Sequence, residues 1–405
     1  MTAGTPHPSG AGPIPVPAED PSETSQILEG TAPNHEPIVS VVFGMTFAVG
    51  KNGACTAKGY QICDGTHFEK AKVATRYTKP SLLLRDADLW PWRNFTDVVV
   101  QGSARSDKAV TSLDVALSVK GSKTKIERTL AVTGDRWVDK GKTGLVLSSP
   151  VPFREMQLRY DRAYGGTDEL AEERQISEAT LNYFVKHVDK EDNEEMSACS
   201  YPRNPAGKGY LIELDGARGL PWPNLEFPDD RLRLEGLARD RFDWGNRPYP
   251  AGFDWFHHAW FPRCAPLTDI PPISDDKIPD AERRLGLFAP DWEDKPLAER
   301  PMHPFANGAH PYLCRNRLLG DETVTVTHAS SDGRDFIAKL PNLEPKVSLR
   351  LCGGSKVVIP GSLDLVFVET DLDQVTLLYR ATHMSKREHL PLDWIAQSPY
   401  SVDWG

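Results

Sequence analysis

The sequence predicts a mainly β protein: two sandwich- or barrel-like modules joined by a long irregular connection rich in proline, glycine and aromatics, with few short helices. Three observations predict it. Runs that alternate apolar and polar residues cluster early in the chain and again near its end. Between them, from about 197 to 315, prolines and glycines fall at close, uneven intervals among large aromatics. At 405 residues the chain also exceeds one ordinary core.

Residues 1–36 are rich in Pro, Gly, Ser and Glu and include Gly12-Pro-Ile-Pro-Val-Pro17. Such a composition buries too little apolar surface to order itself, so a flexible Pro-rich tail is expected, with a short polyproline docking segment as the alternative. The N-terminal β domain is placed at 37–166. Ile38-Val-Ser-Val-Val-Phe43 and Met45-Thr-Phe-Ala-Val49 lead to an Asn52-Gly53 turn. Asp97-Val-Val-Val100 follows, and then Ser112–Val119 and Lys125–Val132, which alternate with period two.

Residues 167–199 read as a helical excursion, with an acidic capped start at Thr167 and with Leu181, Phe184, Val185 and Val188 at helical spacing. Residues 200–405 combine the irregular aromatic region, with a short helix at Asp280–Gly286, and a C-terminal β domain. Its strands are expected at 323–328, 336–340, 347–351, 363–368 and 375–379. In the irregular region, Asn204-Pro-Ala-Gly-Lys-Gly-Tyr210, Leu220-Pro-Trp-Pro-Asn-Leu-Glu226 and Pro250-Ala-Gly-Phe253 fix φ with proline and open positive φ with glycine. Ordered backbone specified turn by turn is therefore expected there.

Subtracting 57 acidic from 47 basic residues gives a net charge of −10, which disfavours non-specific nucleic-acid or anionic-membrane partners. No apolar run approaches the roughly 18 residues of a transmembrane helix, and the N-terminus has no signal-peptide pattern, so a cytoplasmic location is expected. The six cysteines include no CxxC pair and read as reduced thiols.

No serine nucleophile elbow, phosphate loop, HExxH or dinucleotide fingerprint appears, so no catalytic residue, metal site or cofactor is assigned. Gly165-Gly166 and Gly353-Gly354 read as turns. Asp86 with Asp88, and Asp371 with Asp373, read as turn-capping carboxylates. His257-His258 reads as packing in an aromatic cluster, because neighbours on an extended segment face opposite ways and one metal site rarely uses both. In Tyr160-Asp-Arg-Ala-Tyr-Gly-Gly166, Arg162 is either a binding feature, stacked between Tyr160 and Tyr164 or paired with Asp161, or a buried structural arginine.

A series of pieces carries a family resemblance. In order they are Phe95-Thr-Asp-Val-Val-Val-Gln-Gly102, Val132-Thr-Gly-Asp-Arg-Trp137, Leu158-Arg-Tyr-Asp-Arg-Ala-Tyr-Gly-Gly166, Asn204-Pro-Ala-Gly-Lys-Gly209, Pro250-Ala-Gly-Phe253 with Trp260-Phe-Pro-Arg263, and Pro304-Phe-Ala-Asn307. In order and spacing, over roughly 38–383, the chain resembles a bacterial family first described as a domain of unknown function and encoded beside type VI secretion spike proteins and toxins. The resemblance implies a non-enzymatic adaptor-chaperone that binds a toxin and helps load it onto the valine–glycine-repeat (VgrG) spike. The alternatives are a hydrolase or carbohydrate-binding protein using the aromatic segment, or a structural part of the spike. The expected partner contacts are Trp255, Phe256, Trp260, Phe261 and Arg263, with Arg162 and Tyr164, because interfaces draw their energy from aromatic and arginine anchors. The competing reading makes these rings the core of the second module. If the segment is a strand, Trp255 and His257 share one face and Phe256 and His258 the other.

Overall fold

A computed structural model of the chain describes residues 24–32, 36–69, 81–168, 200–211, 214–237, 247–265, 295–296, 303–314, 317–351, 355–384 and 399–405. The expected helices at 167–199 and 280–286 lie outside the described residues apart from Thr167 and Asp168, as does the first part of the tail. The described protein is mostly β.

The strand Pro37–Val49 is the axis of the largest sheet. It is buried at nearly every position, so apolar residues run on without alternation, as a strand covered on both faces requires. It pairs antiparallel with Gln374–Met384 over eleven residue pairs, which pairs in turn with Ser362–Glu369. Asp97–Gln101 then adds in parallel to Ser362–Glu369. On the other side lies Ser25–Thr31, with Cys55–Gly59 on the far end of Pro37–Val49 across the Gly53 turn.

This topology corrects two expectations. The tail does not run to residue 36, because Ser25–Thr31 is an edge strand held against Pro37–Phe43. Nor do the early and late strands form separate modules, since both lie within one sheet, the late pair flanked by early strands. The cause is burial: Val98 to Val100 and Leu365 to Val368 are each too apolar to face water, and side by side they bury one another.

A second, wholly antiparallel sheet has the order Leu225–Glu226, Lys125–Thr133, Ser112–Lys120, Thr323–Val326, Phe336–Lys339. It too mixes early and late segments. Both sheets feed one hydrophobic core that includes Phe43, Val99, Leu117, Leu130, Val324 and Leu377. A small sheet of Lys356–Pro360, Lys346–Arg350 and Tyr400–Asp403 packs Leu349 against Val39.

Candidate functional site

Two of the irregular segments that dominate the middle of the sequence, Asn204–Tyr210 and Leu220–Glu226, meet beside Tyr160–Gly166, and their amides explain how. Asn204 is fully buried and its side-chain amide donates to the carbonyls of Tyr160 (2.8 Å) and Tyr164 (3.0 Å). Its own carbonyl accepts from Gly166 N at 2.8 Å. Asn224, also buried, donates to Thr133 O at 2.8 Å and to Asp135 Oδ1 at 3.0 Å. Asn204 thus ties its loop to the segment Tyr160–Tyr164 and Asn224 ties its loop to the end of the second sheet at Thr133, doing for irregular chain what a ladder does for strands.

Tyr164–Gly165 and Lys208–Gly209 form a two-residue parallel ladder. The glycines there are required by approach. A Cβ on Gly165 would sit 2.1 Å from Asn204 O, and one on Gly166 2.6 Å from Gly207 O. Both residues also have positive φ, 142° and 105°. The expected turn at Gly165-Gly166 is therefore a strand crossing made of bare backbone.

A cleft of about 200 Å³ opens over this crossing, walled by Gly165–Asp168, Gly207–Leu211 and the loop from Gly216 to Pro221. Beneath it a second core packs Tyr164, Tyr201, Tyr210 and Trp222 with Val138 and Leu211, and Tyr164 meets Tyr201 edge-on at 5.0 Å. Charges at the rim are compensated: Lys208 Nζ lies 3.5 Å from Asp135, and Arg218 Nε 3.6 Å from Asp139. Beside Pro221, Trp137 is bridged to the loop by its backbone and is 44% exposed.

The expected contact residues lie elsewhere. Trp255, Phe256, Trp260, Phe261 and Arg263 are all at most 2% exposed and belong to the core interior, which corrects the expectation that they form a surface patch. The reason is the sheet edge. Asp97–Gln101 is the last strand of its sheet, and Phe253 O accepts from Val100 N at 2.7 Å while Leu313 O accepts from Val98 N at 3.3 Å. The aromatic segment covers that edge with both main chain and rings. It is not a strand, so the alternation of faces fails too: the chain bends at Phe253–Asp254 and turns at His258–Ala259, and the rings of His257 and His258 stack at 4.5 Å. Tyr164 is buried in the second core. Arg162 is half-buried, and the ion pair of Asp161 is with Arg159 at 3.3 Å.

Arg263 is held by buried acceptors alone. It donates to Asp86 Oδ2 (2.7 Å), Phe256 O (2.6 Å) and Phe305 O (2.8 Å). Asp86 and Asp88 are accordingly not turn caps, since Asp86 pairs with Arg263 and Asp88 with Arg85 at 2.7 Å, and both carboxylates are fully buried. Burial alone would raise Asp86, yet the guanidiniums of Arg263 and Arg93 outweigh it and hold the carboxyl below the usual range. Nearby, Arg93 pairs with Asp97 at 2.7 Å, and Asn307 donates to Asp97 Oδ1 at 3.0 Å. The four-residue helix His303–Ala306 and the turn after it are thereby pinned to the first sheet.

Asp254 is the exception in this ionic layer. Burial pushes its carboxyl up to about 7, because its hydrogen bonds come from the neutral donors Gln101 Nε2 (2.9 Å) and Trp255 N (2.7 Å). Burial also lowers His257 to about 4, with His258 a second cause, so both stacked rings are neutral at physiological pH. Among the described residues no group of three potential ligands is placed to hold a metal ion, and no helix is long and apolar enough to cross a membrane.

What sequence reasoning missed is the cleft. Its signal was present in the two glycine pairs, Gly165-Gly166 and Gly207-Lys-Gly209, but local reading assigned each to a turn. No curated protein and no solved structure matches the chain. A family model does, over residues 34–380, which is most of the chain and spans every element of both large sheets except the first edge strand and the end of the strand Gln374–Met384. The chain therefore belongs to a family described as uncharacterized proteins conserved in bacteria, DUF2169.

Proposed function

We propose that this protein is a non-catalytic adaptor that holds a type VI secretion toxin and presents it to the VgrG spike. The single observation that carries the reading on the structural side is the chemistry of the cleft. Its walls are mostly main chain and small or apolar side chains, with Lys208 and Arg218 paired to Asp135 and Asp139 at the rim and one buried acidic side chain, Asp168, and so suit contact with another polypeptide better than turnover of a small molecule. The ordered motif series from Phe95 to Asn307 supports the toxin and spike as partners. Both halves of the cleft come from that series, at Tyr160–Gly166 and Asn204–Gly209. The carbohydrate or hydrolase reading draws less support, since two tryptophans of the aromatic segment it invoked, Trp255 and Trp260, are buried.

The test is co-expression with each toxin encoded beside the gene, followed by gel filtration. A toxin that becomes soluble and co-elutes supports the reading. If no neighbouring toxin changes solubility or elution position, the adaptor role fails. An adaptor also stays in the producing cell, so recovery of the chain in the secreted fraction with the toxin would favour a part of the spike instead.

A further inference from the structure

We infer that the cleft takes an extended, largely uncharged segment of a partner polypeptide, which adds as a third strand beside Lys208–Gly209. This deepens the adaptor reading, on which it rests for the source of the segment.

The argument starts from the backbone of the two-residue ladder. Lys208 N donates to Ala163 O at 3.0 Å, and Tyr210 N donates to Gly165 O at 2.9 Å. The register pairs Tyr164 with Lys208 and Gly165 with Gly209. In a parallel pair, residues on one strand turn their main-chain groups alternately towards and away from the partner strand. Lys208 and Tyr210 face Tyr164–Gly165, so the N–H and C=O of Gly209 face the opposite side. Among the described residues neither group has a hydrogen-bond partner. Gly209 is nevertheless buried. Buried main-chain groups are almost always paired, and an unpaired strand edge is a template for another backbone.

The surroundings select what can pair there. Gly209 is itself part of the cleft wall, and Gly219 on the facing loop has open space where a Cβ would lie, with φ of 84°. No side chain at these two positions bars a close backbone approach. The rim ion pairs Lys208–Asp135 and Arg218–Asp139 cancel their own charges and the wall adds the buried acidic side chain of Asp168, so no positive excess attracts a phosphate or polyanion. The outward N–H and C=O of Gly209 call for an extended partner backbone, because a helix has already paired its own main-chain groups.

The experiment selects ligands from a phage-displayed library of random twelve-residue peptides on the full chain, and measures the best synthetic peptide by calorimetry and by amide NMR. Alternate N-methylation of that peptide is expected to weaken binding at least tenfold, because a methylated amide cannot join a ladder. Leu220→Arg and Arg218→Trp, at half-buried and exposed rim positions, are expected to do the same, with unchanged melting of Arg218→Trp confirming the fold. The Gly209 amide should shift and become protected from exchange on binding.

The inference is overturned if no peptide is enriched, if N-methylation leaves affinity unchanged, or if the Gly209 amide does not respond. It is overturned equally if a synthetic peptide of this chain's own residues 1–23 binds more tightly than any selected one, or if sedimentation shows self-association that Arg218→Trp abolishes. A toxin that co-elutes with both rim variants would refute the cleft while sparing the adaptor role. Peptide binding without any toxin complex would do the reverse.

Discussion

Replacing Asp254 by Asn isolates one buried titration. In the unfolded chain this carboxyl ionises near 3.8, while in the fold it keeps its proton to about 7. Its folded pKa is raised, so the stability it contributes is fully present below about pH 4 and is lost as the pH climbs to about 7. The gap is about 3 pH units, and at ~1.4 kcal/mol each the wild type carries a penalty on the order of 4 kcal/mol above neutrality. Asn keeps an acceptor for Gln101 Nε2 and Trp255 N and never ionises. Asp254→Asn should therefore match the wild type at pH 4 and exceed it at pH 8. For a chain of 405 residues an unfolding entropy of about 0.85 kcal/mol per degree converts 4 kcal/mol to a gain of roughly 5 °C. Thermal scans of both proteins at pH 4, 6, 7 and 8 measure it. A difference that stays flat across this range, or shrinks as the pH rises, would refute the reasoning, because losses from the paired carboxylates are common to both proteins and cancel.

Three further outcomes follow from the packing. Arg263→Met leaves Asp86 buried without its partner and should cost about 3–5 kcal/mol, much of it regained on adding Asp86→Leu; a double variant no more stable than the single would count against the pair. Trp255→Ala and Phe256→Ala should each lose about 3–5 kcal/mol by opening a core cavity while leaving toxin pull-down per folded molecule intact. Selective loss of binding in either would restore a direct contact role. Asn204→Ala strands the carbonyl of Tyr164, at about 1–3 kcal/mol, while Tyr160 O keeps Ala163 N as a donor, and chemical denaturation should show the loss; an unchanged midpoint would mean the loops are held by other contacts.

Strands with one wet face were legible. Ser112–Lys120 alternates in sequence and in burial over most of its length, Lys125–Thr133 alternates only at its start before four consecutive buried residues, and each lies within a residue of the expected span. Pairing was not legible. Nothing local in Pro37–Val49 records that Gln374–Met384 will lie beside it, and its unbroken apolar run signals burial without naming the cover. Ser25–Thr31 was hidden by its neighbours, since a short edge strand beside a Pro-rich stretch carries little periodic signal. For the aromatic segment the residues were right and the direction wrong. The period-two rule assumes a strand, and the chain from Phe253 to Cys264 bends and turns instead, so rings adjacent in sequence can all point inward. The cleft was the hardest to foresee, because its active material is backbone, and glycine in a sequence does not say which chain will come close to it.

The parallel pairing of Asp97–Gln101 with Ser362–Glu369 also sets a timetable for synthesis. Between Gln101 and Ser362 lie about 260 residues, so at roughly 5–20 residues per second the ribosome needs about 13–50 s to deliver the partner. Throughout that interval Val98, Val99 and Val100, and the unbroken apolar run of Pro37–Val49, have no neighbours from the C-terminal third. An N-terminal fragment ending at residue 168, which lacks those partner strands, should therefore be recovered as aggregate, whatever its sequence suggests about a free-standing domain.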